Sequence, residues 1–232
     1  MRLSLIIPCY NEAANLPLLL DRCREVTRGG AAEVILVDNG SIDESAEILA
    51  RLLPSYPGCR SVRVPANQGY GFGILSGLHA AQGEILAWTH ADLQTDPEDA
   101  LRGLGLFNRH GDSIFVKGRR YGRPLADVAF TVGMSIFETA LLGRGMWDIN
   151  AQPTMFSRAL FRTWQEPPHD FSLDLYAFYQ ARALGIPVRR FPVRFGERAH
   201  GTSHWNLSWA AKRKFIRRTV QFTLELRKSL KP

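Results

Sequence analysis

Apolar runs alternate with amphipathic stretches along the first half of the chain. Leu3–Pro8 is apolar but for Ser4 and reads as a buried strand that stops at Pro8. From Asn11-Glu12 a helical pattern runs to Val26, with Leu16, Leu19, Leu20 and Cys23 on one side. Glu33–Asp38 predicts a second buried strand, closed by the turn Asn39-Gly40-Ser41. Ser41, with Glu44 three residues later, has the pattern of a capping box and predicts a helix to about Leu53. Ser61–Val64 is a third short strand, Gly69–Gly83 a glycine-spaced helix, and Glu84–Trp88 a fourth strand ending at Thr89.

The second half is less regular. It predicts a helix over 97–110, a strand at Ser113–Lys117 and a helix over 125–143. A strand at Pro153–Phe156, a helix over 172–184, a strand at Pro187–Val193 and a helical tail from Trp205 follow. Strand and helix in alternation imply an α/β fold, a mainly parallel sheet with helices on both faces. In such folds ligands sit beyond the carboxyl ends of the strands. Three polar clusters fall there: Tyr10-Asn11-Glu12, Asp38-Asn39-Gly40-Ser41 and His90-Ala91-Asp92-Leu93-Gln94.

Length and composition change this picture little. At 232 residues, 45% hydrophobic and 22% charged, the chain fits one globular domain with a C-terminal extension. The three cysteines, Cys9, Cys23 and Cys59, form no paired motif and suit a reducing compartment. Charge matters more. From Arg198 onward there are nine Lys/Arg and one acid, Glu225, so the tail holds +8 of the net +7 and the rest is near −1. A basic tail seeks phosphates, on nucleic acid or on anionic lipid. No leader peptide is expected, and no ordinary transmembrane helix. The nearest candidate, 125–143, is interrupted by Asp127 and Glu138.

The segments IIPCYNE (6–12), VDNGSID (37–43), NQGYGFGILSG (67–77) and ADLQTDP (91–97) resemble family 2 glycosyltransferases, nearest the dolichol- or polyprenyl-phosphate mannosyltransferase branch. VKGRRY (116–121), DINAQPTMFSR (148–158) and the Arg-x-x-Gly-x-Ser element at 198–203 continue the resemblance in order. It implies a GT-A domain over 1–204 and a basic helix over 205–232. It also implies inverting transfer of a hexose, mannose or glucose, from a GDP- or UDP-sugar to a polyprenyl-phosphate lipid. The donor site implied comprises Pro8, Tyr10, Glu12, Asp38, Asn39 and Asp92. Asp92, Gln94 and His90 would hold Mn²⁺ or Mg²⁺ against the donor diphosphate, whose leaving group gains negative charge. Arg120, Gln152, Arg198, Ser203 and His204 stand at positions that hold the acceptor phosphate, for which a guanidinium fork is suited. Asp92 and Asp174 are the catalytic candidates, Asp174 as a base or orienting carboxylate should one be needed.

The chain departs from the family pattern at three points: His90 and Asn39 replace carboxylates, and His204 replaces a lysine. Imidazole shifts metal preference toward Mn²⁺. Plainer readings exist for several of these residues. Asp38 and Asp92 are also ordinary turn residues, Gly69/Gly71/Gly73 suit close helix packing, and Asp174 suits a buried ion pair. The tail is either a helix packed on the domain or an interfacial helix. Trp205 and Trp209 join its apolar arc, and Lys214, Arg217, Arg218 and Lys228 lie opposite. The expected location is the cytoplasmic face of a membrane, reached peripherally or through a partner protein. Transfer to a soluble or protein hydroxyl is the rival reaction. A nucleic-acid-binding module is the rival class, and it leaves the strand-end carboxylates unexplained.

Overall fold

The computed structural model describes residues 1–200 and 209–229. Seven strands form one sheet in the order β3-β2-β1-β4-β6-β5-β7. They are β1 (Leu3–Cys9), β2 (Ala32–Asn39), β3 (Cys59–Val64), β4 (Ile85–Trp88), β5 (Phe115–Tyr121), β6 (Thr154–Ser157) and β7 (Val188–Arg194). Only β6 runs against the rest, pairing antiparallel with β4 and β5. The mainly parallel sheet expected from the alternation is what forms.

Both faces are covered. Leu3, Leu5 and Ile7 point to one face with α1 (Leu16–Thr27), α2 (Ser45–Leu52) and α4 (Asp99–His110). Ile6, Ile35, Val37 and Trp88 point to the other, with α3 (Tyr70–Ala80) and α7 (Ser172–Ala183). The period of two along β1 divides the core in this way. Strands buried on both sides explain the unbroken apolar runs that mark them. Trp88 and Phe156 meet edge to face at 5.5 Å, and burying each ring contributes roughly 2–3 kcal/mol.

Two helix starts differ from expectation. Helix α1 begins at Leu16, with Pro17 in its first turn, because Asn11 takes a left-handed φ of 55° and turns the chain. Ser41 does not cap α2; its hydroxyl accepts the Asn11 N–H at 3.0 Å. Asp43 receives the Ser45 N–H instead, at 3.0 Å. The sequence between β2 and α2 thus serves the β1 loop before it serves the helix. The glycine series at the start of α3 does serve close packing. A Cβ on Gly71 would lie 2.5 Å from the Pro168 carbonyl oxygen.

Helix α5 (Leu125–Leu142) is long and apolar enough to cross a membrane by length and composition, and 17% of it is buried. Its inner side meets α8 (Trp209–Ser229), where Thr223 donates to the fully buried Glu138 at 2.7 Å. Asp127 and Glu138 therefore interrupt the apolar run without breaking the helix. Leu125, Val128 and Ile136 remain exposed on its outer side. The short α6 (Arg158–Phe161), capped by Ser157, has no counterpart in the sequence reading. Of the expected tail, Ser203, His204 and Trp205 lie outside the described residues.

Two buried ionisable groups set opposite pH trends. Lys117 in β5 is fully buried, and desolvation lowers its pKa to about 7 from 10.5. The unfolded lysine binds the extra proton between those values, so its contribution is present above 10.5 and lost as pH falls through 7. Desolvation raises Glu138 to about 7 from 4.5. Its contribution is present below 4.5 and lost as pH rises through 7. Urea unfolding is expected to show Lys117→Met flattening the alkaline slope of stability and Glu138→Gln flattening the acid slope. Unchanged slopes would refute these assignments.

Candidate active site

Parallel pairing brings three strand ends together. The register sets Cys9 opposite Asp38, and Ile6 opposite both Ile35 and Trp88. The loops after β1, β2 and β4 therefore leave the sheet side by side. Pro8 is half-buried within β1, and Tyr10 is exposed at the rim. Asn11 and Ser41 lock the first two loops, since the Asn11 side chain also accepts the Ile42 N–H at 3.0 Å. Gly40, at φ 73°, lets residues 66 and 67 cross directly over the loop; a Cβ there would lie 2.3 Å from Asn67 N.

Buried acceptor atoms gather here. Asp38 accepts the Ser41 N–H at 2.9 Å through Oδ1, while Oδ2 has no hydrogen bond and only Arg63 at 3.5 Å. Asn39 donates to the Gly69 carbonyl at 2.9 Å, leaving its buried Oδ1 without a partner. The Asn15 Oδ1 is likewise unmatched, while its Nδ2 donates to Glu12 at 2.5 Å. Unmatched buried acceptors are costly, and they suit a ligand rich in hydroxyl or N–H groups. Burial raises the Glu12 carboxyl above its ordinary value; the Asn15 hydrogen bond and Arg198 oppose this, and Asp92 adds to it.

Asp92 follows β4 with its carboxylate nearly enclosed. One oxygen accepts the Gln94 N–H at 3.1 Å, and the other faces the Arg198 guanidinium at 3.0 Å. The Gln94 amide turns away to the Gly196 carbonyl at 3.1 Å. The His90 ring stacks on Tyr70 at 5.6 Å. Among the described residues no group of three or more His, Cys, Asp or Glu gathers about one point. A divalent ion held here would take one protein carboxylate, Asp92, and most of its other ligands from a diphosphate, and it would have to displace the Arg198 guanidinium.

Tyr70 stacks in turn on Phe171 at 4.5 Å, so an aromatic row leads from the end of β4 to a second cavity. That cavity, of about 50 Å³, is lined by Arg120, Asp148, Asn150, Phe171, Ser172 and Thr219 among others. The Arg120 side chain is largely buried. It is ion-paired with Asp148 through both carboxylate oxygens and stacks over Phe195. Burial opposes ionisation of Asp148, but Arg120, Arg190 and Arg123 outweigh it and hold the carboxyl below its ordinary value.

Asp174 and Gln152 meet each other below the surface, not in that cavity. Asp174 is 2% exposed and Gln152 1% exposed. Asp174 Oδ1 accepts from Gln152 Nε2 at 2.9 Å and from Trp88 Nε1 at 3.2 Å, with the Lys117 ammonium 4.0 Å away. Lys117 also donates to Thr154 at 2.5 Å. Of the two expectations for Asp174, an open base and a buried ion pair, this is the geometry of the second. Sequence reasoning missed Lys117, Tyr70 and Asp148 as members of these clusters. For Lys117 the available signal was a lysine closing the apolar run 114–116. Ser203 and His204 lie outside the described residues.

The sequence model described as glycosyl transferase family 2 matches residues 4–163. An undecaprenyl-phosphate 4-deoxy-4-formamido-L-arabinose transferase from Yersinia pestis bv. Antiqua (strain Angola) is 36% identical over 213 residues, 89% of this chain and 63% of that protein. A protein of the same name from Pseudomonas paraeruginosa is 43% identical over 103 residues, 43% of this chain and 30% of that protein. The chain thus spans less than two thirds of the length of these curated relatives. Glucosyl-3-phosphoglycerate synthase from Mycobacterium tuberculosis, in complex with UDP, superposes with a TM-score of 0.75 at 21% identity, covering 100% of this chain and 81% of that one. Its complex with Mn²⁺, UDP-glucose and phosphoglyceric acid gives 0.73 at 20% identity, with the same coverage. At such identity the likeness establishes the GT-A fold alone.

Proposed function

The chain belongs to glycosyl transferase family 2, and from that premise we propose that it transfers a sugar from a nucleoside-diphosphate donor to a polyprenyl phosphate. One observation carries the choice of acceptor. Glu12 and Asp92 at the strand ends and Asp174 beneath them are engaged by neighbours, Asp38 keeps one oxygen for the donor, and the adjacent cavity is lined by Arg120, paired there with Asp148. A hydroxyl nucleophile needs a base to take its proton. A phosphate oxygen arrives anionic and needs none. The names of the relatives, which specify undecaprenyl phosphate, support the same acceptor.

In this reading the unmatched acceptors at Asp38, Asn39 and Asn15 receive base and ribose donors. Arg120 and Arg198 hold the acceptor phosphate. Its oxygen bonds to the anomeric carbon from the face opposite the diphosphate. The bond from that carbon to the diphosphate oxygen breaks, its electron pair leaves with the nucleotide, and configuration inverts. A divalent ion supplies neutralisation of the leaving charge; Asp92 would hold it, with His90 and Gln94 as further candidates. The crystallised neighbours carry UDP with Mn²⁺ or Mg²⁺, which supports a metal-dependent donor site. The proposed sugar is a hexose, with a formamido-pentose like that in the relatives' names as the alternative. Thermal-shift measurements with UDP, GDP and their sugars are expected to raise the melting temperature only with a divalent ion present, Mn²⁺ exceeding Mg²⁺. Equal shifts in excess chelator would refute the metal-dependent site.

A lipid acceptor requires a membrane surface, and we place the exposed side of α5 and the basic tail there, on the cytoplasmic face. Leu125 and Ile136 are 86% and 63% exposed. The double substitution Leu125→Glu/Ile136→Glu is expected to weaken binding to anionic vesicles about tenfold or more without lowering the melting temperature. Added salt should weaken wild-type binding as well. Undiminished vesicle binding by the double variant would remove α5 from the membrane surface.

A further inference from the structure

Arg198 sits on a segment between β7 and α8 that is tethered to the Asp92 loop. Gly196 N–H donates to the Gln94 carbonyl at 2.8 Å, and the Ala199 N–H reaches the Asp92 carbonyl at 3.5 Å. The backbone is thereby held beside the loop, while the Arg198 side chain stays about a quarter exposed and its guanidinium lies 3.0 Å from Asp92. Glu12 lies close enough to feel both the Asp92 charge and the Arg198 charge. Without the guanidinium, the repulsion that Asp92 exerts on Glu12 would lose the opposing charge of Arg198.

We propose that Arg198 works in two positions: it neutralises Asp92 until a metal-bound nucleotide displaces it, and only then is it presented to the acceptor phosphate. This rests on the donor and acceptor reading given above. A divalent ion and a guanidinium cannot share one carboxylate oxygen without strong repulsion, so donor binding removes the partner that Arg198 has in this structure. A guanidinium released from a carboxylate finds its best replacement in a phosphate, which offers oxygens to the same fork. Acceptor affinity is then the intrinsic affinity scaled by the fraction of molecules in which Arg198 is free. The coupling is reciprocal, so the acceptor must tighten nucleotide binding by the same factor.

The test is calorimetric titration of the full chain with farnesyl phosphate. It is run with and without Mn²⁺ and whichever of UDP or GDP raises the melting temperature. Wild type is expected to bind farnesyl phosphate about tenfold more tightly with Mn²⁺ and nucleotide present, and Mn²⁺-nucleotide about tenfold more tightly with farnesyl phosphate present. Asp92→Asn, which cannot hold Arg198 by charge, is expected to bind farnesyl phosphate without nucleotide as tightly as loaded wild type. Arg198→Ala is expected to bind it weakly in both states and to bind Mn²⁺-nucleotide more tightly than unloaded wild type, a readout that a purely structural arginine would not give. Equal farnesyl phosphate affinity in loaded and unloaded wild type would overturn the proposal and leave the acceptor reading standing. So would an Asp92→Asn protein that melts like wild type yet binds no more tightly than unloaded wild type. No binding of farnesyl phosphate to wild type in either state would overturn both.

Discussion

Asp92→Asn is expected to lower the rate of sugar transfer by about a hundred- to a thousandfold, the usual loss when one stabiliser of developing charge is removed. The substitution preserves shape and can still accept the Gln94 N–H that Asp92 Oδ1 receives at 3.1 Å. It removes the only charge through which this loop meets Arg198. The melting temperature should change little, because a partly exposed ion pair contributes at most about 1 kcal/mol. Loss of activity with an intact fold is therefore the signature sought, read by steady-state transfer assay and thermal melt together. Transfer within tenfold of wild type would show that Asp92 does not carry the donor's metal.

Asp174→Asn should give the opposite pattern, a loss of stability first. Asparagine retains an oxygen for Trp88 and Gln152, which donate to Asp174 at 3.2 and 2.9 Å. What it removes is the counter-charge 4.0 Å from the fully buried Lys117. Below pH 7, where Lys117 carries its charge, breaking a buried pair from one side costs about 3–5 kcal/mol, or a fall in melting temperature of about 10 °C for a chain of this size. Adding Lys117→Met should recover much of that loss, since no unpaired charge then remains. A catalytic base would behave differently, losing rate at unchanged stability. An Asp174→Asn protein that melts like wild type but is inactive would restore the base reading.

These two carboxylates also mark how far the sequence could be read. Asp38 and Asp92 were legible because each ends an apolar run, and parallel strands deliver such ends to one edge. The β4 strand and the loop that follows it carry that information locally. The partners were not local. Arg198 lies 106 residues from Asp92, and Lys117 lies 57 from Asp174, so nothing in either neighbourhood specifies the pairing. Lys117 closed a predicted strand and looked like its polar end; β5 instead continues to Tyr121 and takes the lysine into the core. Glu138 looked like an interruption of an apolar helix because Thr223, which accommodates it, comes 85 residues later. The early start expected for α1 failed for a related reason. Residues 11–13 satisfy their N–H groups with Ser41, Ser45 and Asp43 rather than with a helix of their own. Local pattern set the strands and their ends, and tertiary contacts decided which charges are buried and which remain available.

The central claim is transfer to a lipid phosphate without a base. It is tested most directly by incubating the full chain and Mn²⁺ with labelled nucleotide sugars, offering farnesyl phosphate or farnesol as acceptor. The expected result is label in an inverted glycosyl farnesyl phosphate, made from one donor of the panel, and none in glycosyl farnesol. Label appearing in farnesol as fast as in farnesyl phosphate would contradict it, because a hydroxyl acceptor requires the free base that Asp174, enclosed by Trp88, Gln152 and Lys117, does not offer.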